Sequence, residues 1–446
     1  MRRARRKLRP FTVWKLGLCE TGVTWLLSRG ATLPWPIRSP LKLAKILFVE
    51  QFYYPDDWGG AELPQDLTQY LQSRGHLVTV LCGSDQYVPV SGDPGPDPAG
   101  QGVSILRVPK FPGIDVRKFK AARQVFFYVH AIRHLLLRKP PDLFVAQTNP
   151  PLIVVLIAFA ARLWRRPLLI ITQDLYPEIL VAHGTIARLS LVTRALTSVF
   201  AWAYRRARKV VSIGSSMTLR LREKGVSADR IVAISNWSTG ARRALRREEN
   251  LLRTEWRLES RCVVLYSGNV GIGHEFDTLL DGLLLAVGNH TELTLLVIGQ
   301  GARLGELRAG VARRNLQSNV MFKDFVSADR LPESIGLAAI AVVTLRQGFE
   351  GLIVPSKLLG YMSRAVPVLY IGPDADTSEL IEVAQCGKSC RSGDAKAVAA
   401  VLAEAASNPE AFMAMGERGR SYYDRHLTRE IGLARFHDVV ESCLRT

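Results

Sequence analysis

Short, largely apolar runs recur along the chain, separated by stretches with helical spacing. Lys45–Val49, Leu77–Cys82, 141–147 and 168–174 are such runs. Runs of this kind mark strands buried on both faces of a parallel sheet. Between the first two, Leu63, Leu67, Tyr70 and Leu71 share one helical face and predict a helix over 61–74, ended by Gly75-His76. Strand, helix and strand together form a right-handed crossover unit. A loop at 91–102, a short strand at 104–108 and a long helix over 115–139 follow. A helix ending near Arg165, another over 190–206, and strands at 209–213 and 232–237 complete this half. The polar, arginine-rich stretch 239–250 reads as a linker.

The same alternation then begins again. Strands are predicted at 262–267, 293–298, 320–322, 340–345 and 367–370. Helices are predicted after Phe276, over 302–315 and 331–337, and at 395–406, 409–426 and 429–444. Residues 386–390 read as a hairpin-like edge. No repeat of 20–50 residues is visible. Strands alternating with helices in both halves predict two doubly wound α/β domains with a cleft between them.

One stretch concentrates the candidate chemistry. The run 340–345 leads to Glu350, Gly351, Pro355 and Ser356, and then to Lys357 at the start of an apolar helical face. Ser356 reads as the N-cap and Lys357 as the first helical residue. A lysine there opposes the helix dipole unless an anion lies between them, which describes a place for a phosphorylated ligand. An ordinary strand-to-helix turn with a solvated lysine fits the local sequence equally. Asp174 ends a predicted strand, and the carboxyl end of a strand is where ligands bind in open α/β sheets. Capping of the next turn is the alternative. Gly59 and Gly60 sit at the first strand-to-helix turn, where backbone can approach a ligand closely. They do not form GxGxxG, so a dinucleotide site is weakly supported.

Charge sharpens the picture. The chain carries a net charge of +19 over 446 residues. Residues 1–240 hold 34 Lys+Arg against 15 Asp+Glu, whereas 241–446 hold 25 of each, so the whole excess lies in the first half. That asymmetry points to a polyanionic partner such as a membrane surface or an acidic substrate. Six of residues 2–9 are Arg or Lys, and Trp14, Trp25 and Trp35 follow, so residues 1–40 read as an interfacial anchor or an unstructured lead-in. Basic and aromatic residues at helical spacing over 115–139 fit a membrane-facing helix, or a core helix with a solvated basic side. Lys15 and Glu20 interrupt any signal-peptide core. The longest apolar run, 150–161, falls short of the ~20 residues of a membrane span. The six cysteines form no CxxC pair and no zinc spacing is present, so reduced thiols, a cytosolic setting and no metal are expected. No RNP, KH or zinc motif supports nucleic-acid binding.

Several motifs together carry a resemblance. They are Gly59-Gly60-Ala61-Glu62, Asn149-Pro150-Pro151, Asp174-Leu175-Tyr176-Pro177-Glu178 and Ile234-Ser235-Asn236-Trp237. In the second half they are Ser267-Gly268-Asn269, Phe276-Asp277-Thr278-Leu279-Leu280 and the stretch from Glu350 to Gly360. From about residue 42 onward the chain resembles the retaining family 4 glycosyltransferases of GT-B fold, most closely the WbuB- or WcaI-like branch of surface-polysaccharide biosynthesis. The resemblance implies two Rossmann-like domains with an interdomain cleft: an acceptor-binding domain over 42–238 after a basic extension 1–41, a linker 239–250, a nucleotide-sugar domain over 251–428, and a helix over 429–446 crossing back to the first domain. It implies donor contacts from Gly268, Asn269, His274, Gly299, Gly301, Glu350, Gly351, Ser356 and Lys357. It implies an acceptor or diphosphate loop at Gly59, Gly60 and Glu62, and a reacting centre at Asp174, Glu350 and Lys357. Metal and cofactor are not expected. The expected partners are a nucleotide-sugar, a polyprenyl-linked or saccharide acceptor and the anionic inner face of the cell membrane. The family's two glutamates eight positions apart are not both kept: the second falls on Gly360, and Glu350 lies two residues early for the first. The family's arginine and lysine in the first loop of the second domain read Asn269 and His274, which moves the expected positive charge onto Lys357. A nucleotide-sugar epimerase on the same architecture and a catalytically silent membrane-associated binding protein are the competing readings.

Overall fold

The computed structural model describes residues 43–55, 62–83, 102–109, 120–238 and 250–445. The basic extension, the linker residues 239–249, Gly59 and Gly60 lie outside the described residues. The first sheet comprises β1 (Lys45–Val49), β2 (Leu77–Cys82), β3 (Ser104–Arg107), β4 (Leu143–Gln147), β5 (Leu168–Ile171), β6 (Lys209–Ser212) and β7 (Ile231–Ala233). Its order is β3-β2-β1-β4-β5-β6-β7 and every pairing is parallel. The second comprises β8 (Cys262–Ser267), β9 (Leu293–Ile298), β10 (Val320–Lys323), β11 (Ile340–Thr344), β12 (Val368–Ile371) and β13 (Gly387–Cys390). Its order is β10-β9-β8-β11-β12-β13, again all parallel. These are two Rossmann-like, doubly wound domains. In each, strand order reverses at one point, between β1 and β4 and between β8 and β11. Such switch points open a crevice at the carboxyl ends of the strands.

The apolar runs become strands for the reason their composition gives. β4, β5, β9, β11 and β12 are buried at every position, because helices cover both faces. The helix Ile153–Leu163 buries Ile153, Val154, Ile157, Ala158, Ala160 and Ala161 and turns Phe159 and Leu163 outward. Side-chain caps fix several helix starts: Ser190 Oγ accepts from Thr193 N–H at 3.1 Å, and Thr428 accepts from Ile431 N–H at 3.4 Å.

Some boundaries differ from the sequence reading. The strand predicted to reach Asp174 stops at Ile171. There Thr172 N–H still bonds Val211 O, but the next two amides turn to the Thr148 hydroxyl. The hairpin-like edge at 386–390 is a strand parallel to β12, with Gly387 packed against the Val368 backbone. Helices Ser215–Glu223 and Asp376–Ala384 escaped the sequence reading. Their apolar faces are short and interrupted by charge. The long basic helix is described from Lys120 to Leu137.

The two domains touch through polar contacts and through the stretch after Gly351. Leu175 N–H donates to Leu352 O at 2.9 Å. Ser216 N–H and Ser215 Oγ–H each donate to Asp376 Oδ1 at 2.8 Å, and Ser215 also reaches Glu379 at 2.8 Å. Leu352 and Val354 pack into the first domain's core, while Ile179 packs into the second's. The C-terminal helix Arg429–Leu444 buries Leu433, Phe436, Val439, Val440 and Cys443 in the first domain's core.

Candidate functional site

At the second switch point three glycines hold left-handed backbone: Gly268 at φ +122°, Gly299 at +139° and Gly301 at +154°. Their loops pack backbone on backbone. A Cβ on Gly299 would stand 2.2 Å from Gly268 O, and one on Gly301 would stand 2.4 Å from Val270 O and 2.5 Å from Asn269 Oδ1. A Cβ on Gly268 would meet Lys357 Cε at 2.7 Å. The lysine therefore lies across the glycine, reaching back from its helix Lys357–Met362 onto the β8 loop.

Lys357 Nζ donates to Asn269 O at 3.3 Å and faces His274 Nε2 at 3.4 Å, 5.0 Å from the centre of the Tyr266 ring. It makes no ion pair among the described residues. Burial lowers its pKa to about 8, so at neutral pH most of it carries a desolvated positive charge. His274 is held from the other side: Nδ1 lies 3.0 Å from Thr344 O. A carbonyl can only accept, so Nδ1 carries the proton and the Nε2 lone pair points at Lys357. Burial, then the charge of Lys357, lowers the His274 pKa to about 3. The pair is a neutral imidazole steering one ammonium, which no carboxylate among the described residues pairs with.

Glu350 and Gly351 lie on the loop before this helix. The Glu350 carboxylate accepts from Gly348 N–H at 2.7 Å. Gly351 has φ +72°, and a Cβ there would stand 2.9 Å from Ser216 O of the first domain. Ser356 occupies the cap position but is not a cap. Its backbone is already helical, its hydroxyl accepts nothing from the helix, and it is exposed. The N-cap reading of Ser356 is corrected on that geometry.

On the first-domain side, Asp174 follows β5 in the loop tied to Leu352. Its N–H donates to Thr148 Oγ at 3.1 Å, and burial raises its pKa to about 6. Two neighbours were not singled out from the sequence. Glu50 follows β1 directly, is 2% exposed and has no hydrogen-bond partner on Oε2. Burial holds its pKa well above the usual carboxylate range. Tyr176 is raised too, by burial first and then by Asp174, Tyr128 and Glu50, so these four groups lie close enough to feel one another's charge. The signal for Glu50 was there to read: an acidic residue immediately after an apolar strand, as with Asp174. Glu62 opens the helix Glu62–Ser73. Gly268, Asn269, His274, Gly299, Gly301 and Lys357 thus converge on one point; Glu350, Gly351 and Asp174 lie on the adjoining loops, and no hydrogen bond joins Asp174 to Lys357.

Residues 59–237 match the family model of the glycosyl transferase 4-like domain, and residues 250–422 that of the glycosyl transferases group 1. The chain is a glycosyltransferase of GT-B fold. This glycosyltransferase is 26% identical over 309 residues to the Pseudomonas aeruginosa protein named "Probable glycosyltransferase WbjE", covering 68% of this chain and 75% of WbjE. It is 27% identical over 157 residues to the Escherichia coli protein named "Putative colanic acid biosynthesis glycosyl transferase WcaI", covering 34% of this chain and 38% of WcaI. Its fold superposes on HepE of Anabaena, solved with UDP and glucose, with a TM-score of 0.67 at 16% identity over 90% of this chain and all of HepE. WaaG, a glycosyltransferase involved in lipopolysaccharide biosynthesis, gives 0.62 at 17% identity over 88% of this chain and 99% of WaaG.

Proposed function

We propose that this glycosyltransferase moves a hexose-type sugar from a nucleotide diphosphate sugar to a lipid-linked or growing saccharide acceptor, with retention of configuration, in bacterial surface-polysaccharide synthesis. The observation that carries the proposal is Lys357, a partly buried cation with no ion pair among the described residues, lying over a glycine cradle at a switch point. A diphosphate supplies the missing counter-charge. In the step proposed, the acceptor oxygen bonds to the anomeric carbon as the bond to the diphosphate oxygen breaks. The acceptor proton passes to the leaving diphosphate, whose growing charge Lys357 offsets. No metal is invoked; catalysis is mainly positioning and charge neutralisation. Glu350 and Gly351 are assigned to the donor sugar, and Asp174 with Glu50 to the acceptor side. HepE was solved with UDP-glucose, so uridine diphosphate sugars are the first donors to try. Incubating the purified full chain with labelled nucleotide-sugars and a bacterial lipid extract tests the proposal. Label moving into the lipid phase supports it; an isomerised nucleotide-sugar with no transfer would identify an epimerase instead.

The pH profile is a sharper test. Lys357 is charged below about 8 and Asp174 ionised above about 6, so kcat/KM should peak between these limits. A bound diphosphate raises the lysine's pKa, so the alkaline limb of kcat should lie above that of kcat/KM. Asp174→Asn should lower kcat and remove the acid limb while the melting temperature stays nearly unchanged. A mutant with the parent's rate and profile would reduce Asp174 to a turn residue.

The membrane reading is carried by the first domain's helices. Val125, Val129, Ile132, Leu136 and Leu137 of the helix Lys120–Leu137 are exposed, and so are Phe159 and Leu163. Ile132, Leu136, Val155, Leu156, Phe159 and Val199 line one apolar depression. Arg133, Arg138, Lys139, Arg162, Arg165 and Arg166 stand exposed in the same segments. No helix among the described residues is long and apolar enough to cross a membrane. An apolar face with exposed cations in the same segments instead fits peripheral binding to an anionic leaflet. Binding to anionic vesicles should fall steeply with salt, since the screening length is about 8 Å at physiological ionic strength. Equal binding to neutral vesicles at every salt would contradict this.

A further inference from the structure

We propose that His76, His437 and Glu441 form a binding site for a divalent transition metal, zinc by ligand type, which fastens the C-terminal helix to the first domain. His437 and Glu441 are four residues apart on the helix Arg429–Leu444 and so share a face. His76 sits in the turn between the helix Glu62–Ser73 and β2, opposite that face. One ligand atom from each residue lies within 4.8 Å of the other two, and His76 Nε2 stands 3.4 Å from Glu441 Oε1. Zinc bonds of about 2.0–2.1 Å in a tetrahedron put ligand atoms roughly 3.4 Å apart, so the closest pair already has the required spacing. A change of side-chain torsion closes the rest.

The second observation is the absence of other partners. The His76 side chain is 1% accessible and that of Glu441 12%. His76 Nδ1 and His437 Nε2 are buried without a hydrogen-bond partner, and His76 Nε2 and Glu441 Oε1 have none beyond their own 3.4 Å contact. Buried polar atoms are rarely left so, and four within one small volume need an explanation. A single cation satisfies the carboxylate and one nitrogen of each imidazole at once. Two imidazoles and a carboxylate are borderline ligands that suit Zn²⁺, Co²⁺ or Ni²⁺ rather than Mg²⁺ or Ca²⁺. The cation acting on His437 is Arg74, which is exposed to water and already engaged on Tyr70, with Nη2 2.6 Å from the phenol oxygen. Water screens its opposition to a bound metal. His76 precedes β2, at the amino end of the sheet, whereas the transfer site lies at the carboxyl ends. The metal's role is therefore to hold structure. The sequence showed no zinc spacing because the first ligand is separated along the chain from the other two by most of both domains.

The test uses untagged, full-length protein stripped with a strong chelator and then titrated with Co²⁺. One equivalent should bind and give the visible absorption of a four- or five-coordinate site, and one equivalent of Zn²⁺ should displace it and raise the melting temperature. His437→Gln and Glu441→Gln, both at partly accessible positions, should each bind Co²⁺ at least tenfold more weakly while keeping the parent's circular dichroism. Should a variant fail to fold, X-ray absorption of the zinc-loaded parent decides, with two imidazoles and oxygen expected around the metal. A parent that binds no Co²⁺ saturably, a folded variant that binds as the parent does, or a thiolate-bound zinc would each overturn the proposal.

Discussion

Lys357→Ala lowers kcat on the order of a hundredfold, the scale set by loss of one preorganised charge-stabilising donor. The argument starts from burial. The ammonium is partly desolvated, as its pKa of about 8 records, and among the described residues it meets only neutral partners: Asn269 O, His274 Nε2 and the Tyr266 ring. The fold thus holds a charge that no described residue compensates. Negative charge on the departing diphosphate grows as its bond to the sugar breaks, so the lysine contributes more to the transition state than to the bound donor. kcat should fall far more than donor affinity. The substitution removes no ion pair and fills no strand position, so the melting temperature should stay close to the parent's. Lys357→Arg should recover part of the rate, because charge is kept while the fork cannot reproduce one ammonium aimed between a carbonyl and an imidazole. Steady-state kinetics of the three forms at saturating acceptor, with donor binding measured separately, decide it. Turnover of the alanine form within about twofold of the parent, against that hundredfold expectation, would move the role elsewhere, and Arg346 and Lys388 would be tested first. Lys388 is the weaker of the two, since it lies on the edge strand 3.7 Å from Glu404.

What made the architecture readable was continuity of apolar runs. Strands such as Cys262–Ser267 and Leu293–Ile298 are largely apolar stretches because helices cover both faces, and such runs need no alignment to be found. Lys357 at the head of its helix was legible for the same reason, since the strand before it and the apolar face after it bracket the turn. Three things were not legible. Ser356 is a serine at a cap position, but capping depends on backbone angles, and its are already helical. Helix Asp376–Ala384 carries four acidic or hydroxyl residues in its first four positions, too little apolar pattern to register, yet Asp376 is what Ser215 and Ser216 hold across the cleft. Glu50 is one carboxylate beside a strand, and only the fold reveals that Tyr176 lies close enough to feel both it and Asp174. Local pattern reports what an element buries; it does not report which distant loop it will face.

Phe436→Ala should destabilise the folded chain by about 3–5 kcal/mol, the usual range for truncating a fully buried phenylalanine. Phe436 is 0% exposed and meets Trp237 edge-on, with ring centres 6.0 Å apart. Trp237 closes the described part of the first domain, and its indole N–H donates to Asp66 at 2.8 Å. Asp66 also takes an ion pair from Arg429 at 2.8 Å, at the start of the same C-terminal helix. Gly432 permits the approach, for a Cβ there would stand 2.4 Å from the Trp237 ring. The last helix of the chain therefore completes the core of the first domain, along with Ile46, Val78 and Val211 from its strands. Its loss should be felt by both domains: the helix Pro409–His426, one residue pair before it, packs on the second domain through Phe412 and Tyr423. Urea unfolding followed by circular dichroism and by tryptophan fluorescence should move to lower midpoints together. A deletion of 429–446 should go further, leaving Trp237 and the face around Leu67 open to water and the first domain unable to fold on its own. If the alanine form lost less than about 1 kcal/mol, well under the buried-aromatic range, or if the deletion left the first domain's transition in place, the helix would be an appendage to the second domain rather than the closing element of the first.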